Sequence, residues 1–318
     1  MIEFEITLSE NPEYTVCLIE AGGSDRDLRV RVPAGILALY GRKRFDYCYT
    51  SVPQPELNNR NIPVNRGKVL GGSSSINSMV YIRGSASDYD AWSELGCDGW
   101  SYKDVLQIFK ALERNQLGQD AEYHGFNGEL LVDNPRDHNV MSDVFVSAGE
   151  SIGLPANTDF NGPSQTGLGV YNVTQDKGRR FSSYTAFVKP VEGRKNLTIL
   201  TGADVRKINF DNRQATGLRI AQDGQEKLLT CKREIVLSAG AINSPTLLLQ
   251  SGIGPAEELS KQGIDPVVDV AGVGKNLQDH IDGMITVRSA SSKTLGISMP
   301  KLPAILSSPF NYLPRRRR

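Results

Sequence analysis

Three groups of residues in this chain are of types that could do chemistry, and their spacing decides between them. The first is Glu20, which closes the apolar run "YTVCLIEAGG" (14–23) and is followed by Gly22 and Gly23. A carboxylate at the carboxyl end of an early parallel strand can accept hydrogen bonds from the ribose of a bound dinucleotide. Taken alone, it is equally a strand-end acid facing water. The second is "RGKVLGGSSSINSMVYIRG" (66–84). Backbone N–H groups in a glycine- and serine-rich turn converge on phosphate oxygens. Gly71 and Gly72 permit close approach, and the side chains of Ser73 and Asn77 add directed hydrogen bonds. The third is the set His124, His138 and His280, whose spacing suits no metal. No metal site is expected.

These residues need elements to hold them. The run 14–23 reads as a central parallel strand buried on both faces. Residues 101–114 read as an amphipathic helix with Val105, Ile108, Phe109 and Leu112 on one face, and Ser101 with Asp104 resembles a capping box. A second helix is expected over 140–152, burying Val140, Val144, Phe145, Ala148 and Ile152. The stretch 196–240 is rich in β-branched residues and broken by "DNRQ" and "QDGQE", which gives a strand, a hairpin and a long strand 234–238 running into Gly240. In the helix that follows, Ser244 is expected as N-cap, Pro245 at the first helical position and Gly252 as the stop.

Composition sets outer limits. With 318 residues, 39% hydrophobic, the chain can bury one large core or two smaller ones. Lys+Arg and Asp+Glu both number 36, so no net field draws it to nucleic acid or to an anionic membrane. The mean hydropathy of −0.32, with no apolar stretch of about 18 residues, predicts no spanning helix. The opening "MIEFEITLSE" does not read as a secretory signal. Cys17, Cys48, Cys97 and Cys231 include no C-x-x-C pair and are expected to be free, reduced thiols of a cytoplasmic protein. The closing "RRRR" is the one charge run and is not expected to serve as an anion-binding tail.

Together with "EIVLSAGAINSPTLLLQSGIGP" and "GVGKNLQDH", the motifs above resemble the glucose–methanol–choline (GMC) family of FAD-dependent oxidoreductases. The stretch 66–84 is similar to that family's first signature, "GAINSPTLLLQSGIGP" to its second, and "LSENPEYTVCLIEAGG" to its second Rossmann strand. The segments "DYDAW", "YHGFNGEL", "DFNG" and "GRRFSSYTAF" are most similar to bacterial choline dehydrogenases and aliphatic alcohol dehydrogenases. The resemblance implies an α/β (α+β) fold: an incomplete FAD-binding Rossmann-like domain with an interleaved, incomplete substrate domain. FAD-binding parts would occupy 1–85 and 191–280. Residues 86–190 would be a mixed helical and loop region covering the cofactor and facing substrate, and 281–318 would begin a truncated substrate-binding domain.

The same resemblance assigns FAD as cofactor. It places Glu20 on the adenosine ribose, Val205 of "TGADVRKI" on the adenine through its backbone, and Ser73, Asn77, Ser78, Met79 and Val80 against the pyrophosphate and isoalloxazine. Ala239 and Gly240 would bring the long strand's end near the cofactor, with Asp279 or His280 behind the contacting residues. The implied reaction takes choline or an aliphatic primary alcohol to its aldehyde by hydride transfer to flavin N5. The acceptor would be oxygen or a membrane quinone, in the cytoplasm or at the inner-membrane face. None of the three histidines matches the family's catalytic positions, so no residue is assigned as catalytic. The family's first strand and glycine turn are not found before Glu20, from which poor solubility or weak cofactor retention is expected. The alternatives are a non-catalytic fragment of such an enzyme and an NAD-dependent dehydrogenase using Glu20. The latter leaves the serine-rich turn unexplained.

Overall fold

The structure is a computed structural model that describes residues 7–279 together with 283, 285 and 286. His280, the four terminal arginines and nearly all of 281–318 lie outside the described residues. Two compact units are present, and the chain passes from one to the other after Ser24, Gly41, Gly72 and Phe187. Helices and strands are mixed in an α/β arrangement.

The unit that contains Glu20 is built on a parallel pair. Val16–Glu20 lies beside Leu197–Thr201, with Glu20 opposite Thr201. Val16 and Leu18 are buried whereas Cys17 is exposed. The strand therefore buries one face and not both, because successive side chains alternate and the described residues cover a single side. Beyond Glu20 the pair of glycines takes a new neighbour. Gly23 bridges Val69 in parallel, the Leu70 N–H donates to the Gly23 carbonyl at 2.9 Å, and the Gly202 N–H donates to the Gly22 carbonyl at 2.8 Å. A Cβ on Gly22 would collide with the Lys68 carbonyl and the Val69 backbone nitrogen. Gly22 thus lets two sequence motifs lie backbone against backbone.

Ala203–Asp211, Gln214–Gln222 and Gln225–Thr230 form an antiparallel three-stranded sheet in that order. Its two tight turns fall where "DNRQ" and "QDGQE" break the pattern, and Asn212, Asp223 and Gly224 take positive φ there. The expected strand 234–238 is not formed: among the described residues no neighbour supplies the ladder bonds a strand needs. The helix that follows spans Gly240–Gln250, so Pro245 lies inside it and Ser244 is not its cap. Pro245 forgoes one intrahelical bond near the start of the helix, where few are established. At the other end the Ser251 hydroxyl donates to Leu247 at 2.6 Å and accepts the Ile208 N–H at 2.8 Å, tying helix to sheet. Gly252, at φ +89°, ends the helix as expected.

The second unit holds the helices Ala86–Glu94, Tyr102–Leu112 and Val140–Glu150 and a short parallel pair, Glu113–Asn115 with Leu130–Val132. The capping box forms at Ser85 and Asp88, where the Ser85 N–H donates to the Asp88 carboxylate at 2.8 Å. At Ser101 the hydroxyl instead donates to Asp104 and leaves the backbone uncapped. Val105 is buried, but Ile108 is exposed. Val140, Val144, Phe145 and Ile152 are exposed as well, contrary to expectation. A helical apolar stripe is buried only where a layer packs on it, and among the described residues none covers this one.

Candidate functional site

In the first unit the strand end concentrates polar and aromatic groups. The half-buried Glu20 accepts the Gly22 N–H at 2.7 Å through Oε1. Burial pushes its carboxyl up to about 7, against the lowering effects of the Gly22 N–H and of Lys68. Tyr47 and Tyr49 stack with ring centroids 5.1 Å apart, and Lys68 Nζ stands 5.5 Å from the Tyr47 ring. The Tyr49 hydroxyl donates to Asn243 Oδ1 at 2.7 Å. Burial holds the Tyr47 phenol well above its ordinary range, and the charges of Glu20 and Asp204 push it the same way. Tyr47 therefore lies within electrostatic reach of both Glu20 and the residue preceding Val205.

Val205 is opposite Ile220, and the ladder skips Arg206 between Arg219/Lys207 and Ile220/Val205, a bulge beside the predicted adenine contact. The strand of Val205 is the outer one of its sheet, and among the described residues no further strand pairs with it. Sequence reasoning missed Tyr47, Tyr49 and Lys68. The available signal was a tyrosine on each side of Cys48, close before the glycine-rich motif. Ala239 is exposed, Gly240 takes φ +87° at the helix start, and Asp279 is exposed.

The other predicted residues stand in the second unit, on a turn entered through Gly71 at φ +89° and Gly72 at φ +54°. Gly72–Ser75 is a 3₁₀ turn, and the Asn77 N–H donates to the Ser73 carbonyl at 2.9 Å. Ser73, Ser78 and Val80 are exposed, Asn77 is half-buried and Met79 is buried. Met79 has φ +64°, unusual for a side chain of its size, and its N–H donates to Asn77 Oδ1 at 3.0 Å. Val80 then bridges Val173.

The two described histidines have other work. His124 is wholly buried, with Nδ1 2.9 Å from Glu113 and Nε2 2.9 Å from Asp159. Arg83 closes the group, its Nη2 donating to Glu113 Oε2 at 2.6 Å. His124 thus stands between two carboxylates that favour its charged form. Burial opposes that charge, but the bonds to Glu113 and Asp159 outweigh it and hold the pKa above 6.5. His138 is exposed and pairs with Asp143 at 2.8 Å. Both ring nitrogens of His124 are taken up by carboxylates, whereas His138 is paired through Nε2 alone.

The residues present suit a flavin dinucleotide. Glu20 is an acceptor with a single backbone donor on it, Val205 stands on an open sheet edge, and small exposed serines flank the amide of Asn77. Among the described residues no group of His, Cys, Asp and Glu is arranged to hold a metal.

Comparison with known proteins bears on the family. The family model described as GMC oxidoreductase matches residues 15–282. An "Alcohol dehydrogenase [acceptor]" of Pseudomonas putida is 42% identical over 98% of this chain and 56% of its own length. An "Oxygen-dependent choline dehydrogenase" of Rhizobium etli is 43% identical over 86% of this chain and 50% of its own. Among solved structures, pyridoxine 4-oxidase from Mesorbium loti superposes with a TM-score of 0.82 at 36% identity, over 88% of this chain and 55% of that one. The chain spans about half the length of the curated relatives it matches.

Proposed function

The chain belongs to the GMC oxidoreductase family, and from that premise we propose that it binds FAD and serves the oxidation of an alcohol to its aldehyde. The names of its relatives point to an alcohol or choline, and within that class we propose choline or an aliphatic primary alcohol. The observation that carries the cofactor reading is Glu20, a desolvated carboxylate at a strand end, in electrostatic company with Tyr47 and the outer strand of Val205.

Each residue has a part in this reading. Glu20 accepts from the adenosine ribose, and the Val205 backbone meets the adenine. Ser73 and Ser78 offer hydroxyls to the pyrophosphate or the ring, Asn77 offers its amide, and Met79 and Val80 give apolar contact. When bound, FAD supplies the ring nitrogen that takes a hydride from the alcohol carbon. The hydroxyl proton needs a base within hydrogen-bond reach, and we assign none: His124 is buried between two carboxylates, and His138 matches no catalytic position of the family. That lack also favours a second reading, a chain that holds flavin without turning over.

A dye-coupled assay separates them. With FAD added, reduction of the dye by choline or a medium-chain primary alcohol above the flavin-free control supports the enzyme. Saturable flavin binding without reduction supports the second reading, and absence of both removes the cofactor itself. Repeating the assay with oxygen or a quinone distinguishes the two acceptors proposed.

A further inference from the structure

The turn 73–80 rests on a charge for which the proposed function has no use. Arg180 is 5% exposed, and among the described residues it pairs with no carboxylate. Its Nε donates to the Val30 carbonyl at 2.9 Å. Its Nη1 donates both to the Ser74 carbonyl at 3.0 Å and to Asn77 Oδ1 at 2.8 Å. Its Nη2 is buried with no partner. Burial brings its pKa down to about 10, which leaves it charged at neutral pH. A buried cation without an acid is costly, and neutral acceptors offset only part of that cost.

What the guanidinium does locally follows from Asn77. Its Oδ1 accepts from Arg180 and from the Met79 N–H, so both neighbours on that side are donors. The amide can satisfy them in one orientation only, with its NH2 turned the other way. Among the described residues that NH2 has no partner. The same oxygen holds Met79 at its positive φ, the sharpest feature of the turn.

We propose that Arg180 is the positioning residue of this turn: acting through Asn77, it aims the Asn77 amide donors at an electron-rich oxygen of a bound ligand. This rests on the FAD reading, in which that oxygen belongs to the pyrophosphate or to the isoalloxazine. Ser74 strengthens the arrangement, since its hydroxyl also receives the Ser183 N–H at 2.9 Å, only three residues beyond Arg180.

Asn77→Asp is the discriminating change. A carboxylate keeps both accepted bonds and gives Arg180 the acid it lacks, while it removes the donors and sets a negative charge where they stood. We expect the full chain carrying Asn77→Asp to melt at or above the wild-type temperature without cofactor, yet to bind FAD at least about tenfold more weakly in a flavin fluorescence titration. Arg180→Met should weaken FAD to a similar extent, Arg180→Lys less, and the double change no more than the larger single one. Titration with ADP and FMN tells the two oxygens apart, since only the half-ligand carrying the contacted oxygen loses affinity. Binding of FAD by Asn77→Asp within about twofold of wild type overturns the proposal. If Arg180→Met does not fold, Asn77→Asp and Arg180→Lys decide. A wild-type chain that binds no FAD removes the functional reading and this inference with it. Equal binding by wild type and variants removes the inference alone.

Discussion

Between pH 8 and pH 6 the affinity of this chain for FAD should fall about tenfold, and the fall should disappear in Glu20→Gln. Burial holds the Glu20 carboxyl at about 7 instead of 4.5. Ribose hydroxyls donate, so the ionised carboxylate is the better acceptor. For a pKa of about 7, roughly nine-tenths is ionised at pH 8 and roughly one-tenth at pH 6, a ratio of about ten or about 1.4 kcal/mol. The ligand-free chain carries the opposite sign. A folded pKa above the unfolded value means that the neutral acid stabilises the fold, fully below about pH 4.5 and progressively less as pH rises through 7. The upper bound is about 3 kcal/mol before solvent screening of a partly exposed group. Ligand binding thus opposes a folding preference, and cofactor should stabilise the chain more at pH 8 than at pH 6. The assay is a fluorescence titration at constant ionic strength, with FMN, which lacks the adenosine ribose, as a control expected to be flat. An equal slope in Glu20→Gln, or tighter binding on acidification, would refute the reasoning.

Three stability predictions accompany it. His124→Gln leaves Glu113 and Asp159 without their ring partner and should cost about 3–5 kcal/mol in urea unfolding at mildly acidic pH. The wild-type contribution of His124 should be complete below about pH 6.5 and fade as pH rises through its higher folded value, so the midpoints of wild type and His124→Gln should converge towards alkaline pH. Gly22→Ala drives a methyl into the Lys68–Val69 backbone and should destabilise by about 2–4 kcal/mol; an unchanged midpoint would mean that the two motifs are not in contact. Ser251→Ala leaves the buried Ile208 N–H unpaired, at about 1–3 kcal/mol, whereas Ser251→Thr should retain most of it.

Legibility in the sequence followed the range of the interactions. The strand at 16–20, the helices at 102–112 and 140–150 and the hairpins after 203 are set by local periodicity and turn residues, and each stands within a few residues of where it was expected. Several misses depend on a distant partner. No local pattern says whether 234–238 finds a neighbour, or whether a layer covers Val144 and Phe145. Pro245 suggested a helix start because its missing N–H costs nothing there, yet the helix begins at Gly240. At the site, Glu20 and the turn 73–80 are marked by residue type. The engagement of Asn77 by Arg180 joins positions 103 apart, and "GRRFSSYTAF" gives no hint of which arginine turns inward.

The family assignment implies first that one chain binds one FAD. Calorimetric titration of the full chain with FAD, then with ADP and FMN as half-ligands, tests it most directly. Saturation is expected at one FAD per chain, with displacement by ADP and weaker binding of either half than of the whole. FMN binding as tightly as FAD with no displacement by ADP, or no saturable binding at all, would contradict it.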